Sequence, residues 1–539
     1  MADVTASGSA TRGVEGAEDV FIRQSSGLIR AAGSYDVFIF NIGLISVGIA
    51  VALDQLYGPS LYPGANVAMS TLIATVGMVV VGIAYYMWSV TFPRSGGNYV
   101  YQSRGLSPGV AFTTTFAESV ILMFYAALAA SLLVTVGLSA GFGALGFIAK
   151  SKGLADIAVW FGKPFGIFIT GSLIIVVCGF LPLSGMRRYF GIQRVMFVLA
   201  IVGTLVALAV IFMGSQHTFS NNLSKLSGLQ YAKVIAAAIA GGWAKHGYTG
   251  GATIAFVVWP LLPLLGGIQS IGIAGEIKKV SRAQLFGIIG SIIVAGGVMM
   301  LFALGANHAF GYDFQGAVAF NALTGSGPTT ETTPFFTVLV GILTNNVLLT
   351  VLVVAGFAAW IYFWIPAELI YAQRTMLAWS FDRLAPEPMG YVSPRFHTPV
   401  VLIVMTVVVS IFFMWVIAYT TYATLSLILG ILLCWGVTMF AGILFPYIRK
   451  DMFARSPVAQ YRIGPLPAMS VVCALALAFM AWMFVLLWND PVAAGHTARS
   501  IWSNVGLLIA GAVIYWIMRA VRRRQGVRLE LAFRQIPIE

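Results

Sequence analysis

Charge is what this sequence has least of. Asp, Glu, Lys and Arg together make up 9% of its 539 residues, against 59% hydrophobic residues. A soluble domain carries about a quarter charged residues. A water-facing surface cannot be built from so few charges, and a mean hydropathy of +0.90 makes lipid the main solvent. In lipid every backbone N–H and C=O needs an internal partner, which admits only helices and closed barrels. The apolar runs are about 20 residues long, enough for a helix to cross a ~30 Å hydrocarbon core. Barrel strands would be shorter and would alternate.

Other absences narrow the function. Only three cysteines occur, Cys178, Cys434 and Cys473, all inside apolar runs. They read as small packing residues, with no disulfide framework. The five histidines (His217, His246, His308, His397, His496) fall in loops or at span ends, which argues against a buried histidine relay. There is no HExxH, nucleophile elbow, phosphate loop or Cys/His/Asp cluster, so neither an enzyme nor a bound metal or cofactor is expected. A channel would show a ring of charges or a filter motif, and neither is present. The net charge of +13 is no sign of nucleic acid, because the basic residues are scattered singly. The exception, Arg522, Arg523 and Arg524, follows the last apolar run, where anionic headgroups would meet it. The polar N-terminal residues lack the basic-then-apolar layout of a signal peptide and read as a cytoplasmic tail.

What is present is a series of twelve spans, expected at 35–56, 67–91, 108–141, 165–185, 190–214, 252–276, 283–307, 336–381, 399–419, 421–447, 466–488 and 501–520. The fold class is therefore all-α integral membrane. The third and eighth runs are long, implying tilt or an extension beyond the bilayer. The longest stretches between spans are 142–164, 215–251 and 308–335, so no soluble domain is expected. The Ala-rich segment Gln230–Trp243 suits a short interfacial helix. With the N-terminus inside, roughly 24 of the 31 Lys and Arg residues face the cytoplasm. Both termini are accordingly expected there, in a multi-pass protein of the cell membrane.

Two runs are interrupted. The first, FNIGLISVGIAVALDQLYGP, holds Gly43, Ser46 and Gly48; the sixth, FVVWPLLPLLGGIQSIGIAGEIKK, holds Pro260, Pro263, Gly266 and Gly267. Proline removes a helix donor and clashes with the preceding turn, and glycine weakens helix. The sixth run lies five spans on from the first, so each opens a five-span unit and the units have opposite orientation. The chain divides into a tail 1–34, a first repeat 35–214, an extracytoplasmic loop 215–251, a second repeat 252–447, two more spans in 448–520 and a basic tail 521–539. A five-plus-five inverted repeat with broken first and sixth helices points to a small-molecule site at the bilayer midplane, as in secondary transporters. Small residues also serve ordinary helix packing, but two breaks at matching positions favour the site.

Where a helix breaks, free N–H groups carry partial positive charge and free C=O groups partial negative charge. The N–H groups around Ser46–Ile49 suit a carboxylate and the C=O groups near Leu264–Gly266 an ammonium. The expected substrate-binding residues are Ile45, Ser46, Val47, Gly48, Leu264, Gly266, Gly267, Ile268 and Gln269. Ile45, Val47, Ile268 and Gln269 bring no charge, which suits a neutral cargo unless Glu118 or Glu368 faces the pocket. A cationic cargo is then favoured.

Several segments resemble the amino acid–polyamine–organocation (APC) family of permeases, in order along nearly the whole chain. Pro93-Arg-Ser-Gly-Gly-Asn-Tyr-Val-Tyr101 follows the second span, and Glu276-Ile-Lys-Lys279 closes the sixth. Gln373-Arg374, Asp382-Arg-Leu-Ala-Pro386 and Pro394-Arg-Phe-His-Thr-Pro399 follow the eighth, and Phe445-Pro-Tyr with Gly464-Pro-Leu-Pro467 lies between the tenth and eleventh. The resemblance implies a twelve-helix inverted-repeat fold, alternating access, and an amino acid or amine cargo driven by protons, sodium or exchange. The sequence departs from the family pattern at two places. Ser46-Val47-Gly48 stands where Gly-Ser-Gly is common, and Gly267-Ile268-Gln269 where Gly-Phe-Glu is common, so a carboxylate becomes an amide.

Ionisable residues at membrane depth mark function by default. Glu118, in the third span, and Glu368, in the eighth, are the coupling candidates; if protons drive transport, one of these must carry them. The structural alternatives are a hydroxyl network near Thr113–Thr115 for Glu118 and a pair with Arg374 for Glu368. Asp54 is expected to reach water at the outer end of the first span, and Asp36 to be a helix-start acid. No Lys lies in the fifth span, where Arg194 is the nearest cation, and Thr350 is the best mid-depth hydroxyl of the eighth span for sodium. Phe256, Trp259 and Tyr125 are candidate gates. Tyr125, two helical turns beyond Glu118, is expected to line the same cavity. The sequence therefore reads as a secondary active transporter of an amino acid or related amine. The alternatives are a same-fold transporter of another small solute or an inorganic cation, and a non-transporting membrane sensor.

Overall fold

The computed structural model describes residues 27–330, 332–420, 422, 424–493, 495–526 and 533. Most of both expected tails lies outside these residues. Among the described residues twelve helices are long and apolar enough to cross a membrane: Ser34–Leu61, Val67–Thr91, Pro108–Ala149, Pro164–Ser184, Met186–Met213, Gly250–Glu276, Val280–Phe310, Val347–Phe381, Val400–Tyr419, Ile428–Ile448, Ala468–Asn489 and Ala498–Arg524. The chain is an all-α integral membrane protein. Among the described residues the one sheet is a two-stranded hairpin, Arg462–Ile463 with Leu466–Pro467.

Burial decides which spans sit at the centre. The apolar window of span 1 is 94% buried and that of span 12 only 11%, so span 1 runs through the middle and span 12 along the periphery. Span 8 packs along spans 3 and 5, span 7 against span 2, and span 10 against span 11. The Ala-rich segment expected to be helical forms Tyr231–Ala240.

Local chemistry moved several boundaries. The expected run 336–381 is two helices, Phe336–Thr344 and Val347–Phe381. Asn345 adopts the left-handed conformation (φ 44°) that Asn tolerates, and the Asn346 side chain caps the new helix by accepting from the Leu349 N–H at 3.1 Å. Thr350 consequently lies at the start of span 8, donating to the Asn346 carbonyl at 2.8 Å, and is no mid-depth hydroxyl. Span 3 extends to Ala149 through a π-helical stretch, Leu133–Ser139.

Span 1 is broken at one residue. Ser46 is left-handed (φ 53°, ψ 64°) between helices Ser34–Ile45 and Val47–Leu61. In span 6 the helix divides at Val257, three residues before Pro260, into Gly250–Phe256 and Val258–Leu264, and the Gly-rich stretch Leu265–Glu276 then tightens into 3₁₀ helix, with Ile273 non-helical. Gly266 lets the two spans touch, because a Cβ there would lie 2.6 Å from the Leu44 carbonyl carbon. Gly48 similarly meets the backbone of Phe357 in span 8.

Candidate functional site

Beside the break in span 1 lies a cavity of ≈ 80 Å³, walled by spans 1, 3, 6, 8 and 10. Of the expected binding residues, Ile45, Gly266 and Gln269 line it. Ser46, Val47, Gly48, Leu264, Gly267 and Ile268 are buried beside it but form no part of its lining. The amide of Ile49 is already taken by the Ser46 carbonyl at 3.0 Å, as is that of Ala50 at 3.1 Å. That leaves Val47 and Gly48 to supply the leading amides of the outer half-helix.

Two acids face this cavity, and among the described residues no Lys, Arg or His lines it. Glu368 is buried. Its Oε1 accepts from Trp364 Nε1 at 2.7 Å and from Gln269 Nε2 at 3.4 Å, while Oε2 has no hydrogen-bond partner. It does not pair with Arg374, which turns away to Glu276 (2.6 Å). Asp54 also lines the cavity. It is 3% exposed, so the expectation that it is wet fails: span 1 is enclosed at that level by its neighbours. Asp54 Oδ1 and Gln269 Oε1 likewise lack partners. Tyr125, Trp259, Trp364 and Trp435 complete the polar and aromatic lining.

Glu118 stands behind this wall. Its Oε1 accepts from Asn98 Nδ2 at 2.7 Å and from Trp435 Nε1 at 2.8 Å, and Cys434 Sγ lies 3.5 Å from Oε2. Asn98 in turn accepts from Tyr85 and Thr438 and reaches the Tyr371 hydroxyl. The hydroxyls of Thr114 and Thr115 bond elsewhere, so the expected hydroxyl network does not hold Glu118. Tyr125 and Glu118 do not share a cavity: Tyr125 lines it, stacked on Trp364, and Trp435 separates Glu118 from it. Cys434 is part of this polar cluster as well as a packing residue.

Both ends of the cavity's path are closed. At the end where span 1 begins, Arg374 pairs with Glu276 and Arg104 with Asp382, each at 2.6 Å and with all four side chains buried. Tyr99 adds a 2.8 Å bond to Asp382. Ala32 pairs with the Glu276 and Lys278 backbone at the same end, and Asp36 caps its helix while holding Arg194 at 2.7 Å. At the opposite end Trp259 Nε1 donates to the Tyr62 hydroxyl at 3.0 Å, and Tyr62 donates to Asp490. Phe256 packs on Tyr62 and Trp259 on Tyr57. Phe256 and Trp259 thus meet in one aromatic lid, of which Trp259 touches the cavity, whereas Tyr125, the third expected gate, lines the cavity stacked on Trp364 and does not join the lid contacts.

Sequence reasoning missed Asp54, Trp435 and Asn98. Asp54 carried a signal, an acid inside an apolar run; Asn98 sat inside a quoted motif; Trp435 was one aromatic among many. The motif segments converge here: Asn98 and Tyr99, Glu276, Arg374 and Asp382 come from four of them.

A family model described as amino acid permease matches residues 34–517. No curated protein matches the chain.

Proposed function

The chain belongs to the amino acid permease family and is a membrane transporter; from that premise we propose that it is a secondary active transporter moving an amino acid or related amine by alternating access, coupled to a cation. The observation that carries this reading is the cavity against the span 1 break, which holds an incompletely bonded Glu368 and no basic side chain. The cargo ammonium meets Glu368 among the rings of Tyr125, Trp364 and Trp435, an arrangement that favours cations. A cargo carboxylate, where there is one, is drawn toward the positive end of the half-helix that starts at Val47, whose leading amides lie beside the cavity and not in its wall. Because the acids face the cavity, a cargo with a cationic group is favoured over an apolar neutral one.

Spans 1–5 and 6–10 act as the inverted repeats, with the broken first span and tightened sixth span as their leading helices. The Arg374–Glu276 side is the cytoplasmic gate, an orientation supported by the excess of Lys and Arg at that end. Glu118 and Glu368 are the proton-handling candidates, Glu368 in the cavity and Glu118 behind the Trp435 indole that lines it. The test is uptake of a labelled amino acid and amine panel into proteoliposomes, with and without inward proton or sodium gradients. Saturable accumulation of an amino acid or amine against its gradient is expected. No uptake of any panel member by folded protein would overturn the reading.

A further inference from the structure

Asp54 sits at the far end of the cavity from Glu368. It lies eight residues beyond Ser46, about 12 Å along the helix axis at 1.5 Å per residue. Glu368 is at the level of the break, because its partner Gln269 follows Gly266, which abuts Leu44. The cavity therefore has a carboxyl group near each end, each with an oxygen that no described residue bonds. Removing a carboxylate from water without a partner is strongly unfavourable. A zwitterion brings one ammonium and one carboxylate. It can satisfy Glu368 but offers nothing to Asp54. Trp259 lines the cavity and its ring packs at a tilt of 38° against Tyr57, one turn beyond Asp54, so an aromatic ring stands at that end for a second ammonium.

We propose that Asp54 is a specificity-determining residue that binds a second cationic group of the cargo, so that the cavity selects a basic amino acid or short α,ω-diamine over its uncharged analogue. The proposal rests on the transporter reading above and adds a charge requirement that reading does not contain. Glu368 takes the first ammonium and Asp54 the second, their side chains spanning part of the distance between the two helix levels.

The test uses the full-length protein in proteoliposomes with lysine, 1,5-diaminopentane and norleucine, the last matching lysine in length without its side-chain ammonium. Wild type is expected to favour lysine or the diamine over norleucine by at least about tenfold in kcat/KM, since a site built for a polar group rejects the analogue lacking it. Asp54→Asn, nearly isosteric, is expected to reduce that ratio at least about tenfold, and Asp54→Glu to keep most of it. Monodisperse elution and an unchanged melting temperature establish that each variant is folded. A ratio near one in wild type, or a ratio unaltered in folded Asp54→Asn, would overturn the proposal while leaving transport itself intact. Uptake of none of the three, nor of any other amine or amino acid, removes the transporter reading and this proposal with it.

Discussion

The indole of Trp435 donates to Glu118 Oε1 at 2.8 Å while its ring lines the central cavity. One side chain thus touches both the space where cargo is proposed to sit and the carboxyl group proposed to handle protons. A cargo that shifts the indole changes the hydrogen bonding of Glu118 without contacting it.

Glu118→Gln separates charge from shape. Gln can keep accepting from Asn98 and Trp435 through its oxygen and turn its amide toward Cys434, so folding is preserved. Gradient-driven accumulation is expected to fall at least about tenfold, with exchange in the absence of a gradient retained. Proteoliposome uptake with and without a proton gradient checks this; undiminished gradient-driven uptake removes Glu118 from the coupling role.

Trp435→Phe leaves Glu118 short of one buried donor, a loss of about 1–3 kcal/mol. The expected outcome is a lower melting temperature together with a changed pH dependence of uptake. A lower melting temperature with an unchanged pH profile would make Trp435 a packing residue only.

Arg374→Ala strands Glu276, which is as buried as its partner. Breaking such a pair by removing one member costs about 3–5 kcal/mol. The double variant Glu276→Gln with Arg374→Met removes both charges and is expected to recover most of the stability, as read by thermal melting in detergent. A double variant no more stable than Arg374→Ala would show that stranding the charge is not the cause.

Gly266→Ala places a methyl group 2.6 Å from the Leu44 carbonyl carbon, a backbone atom that cannot rotate away. Overpacking of this kind costs about 1–3 kcal/mol. Lower thermal stability and weakened uptake are expected together, because the same contact sets the cavity wall.

Tyr62→Phe deprives Trp259 Nε1 of its acceptor and Asp490 of a donor, opening the lid. A cysteine introduced as Ala50→Cys, in the cavity lining, should then react several-fold faster with an impermeant thiol reagent added on the Tyr62 side, at about 1–3 kcal/mol of lost bonding. Burial, and then the neighbouring Asp490, holds the Tyr62 phenol above its ordinary range. An acid with a raised pKa keeps its proton to higher pH, so the wild-type lid is expected to stay shut up to about pH 9. Faster labelling of wild type between neutral and mildly alkaline pH would contradict this.

Spans were legible because lipid demands about 20 apolar residues in a row, and that demand is written in one dimension. The break in span 1 was legible from its small residues Gly43, Ser46 and Gly48, and the contact role of Gly266 from the missing Cβ that lets two helices approach. The split at Asn345-Asn346 could have been read from its turn and cap chemistry, but an apolar run on either side concealed it.

Partnership was not legible. Arg374 lies near Glu368 in sequence yet pairs with Glu276, and Asp54, near a span end, is enclosed. The sequence by itself determined that this chain crosses a membrane twelve times, where its central helix breaks and which family it resembles, because local composition and backbone tolerance suffice for those. Only the tertiary structure decided which acids face the cavity, which are neutralised by arginine and which stand behind an indole. Those outcomes depend on the rotation of packed helices about their axes, and no single stretch of chain encodes that rotation.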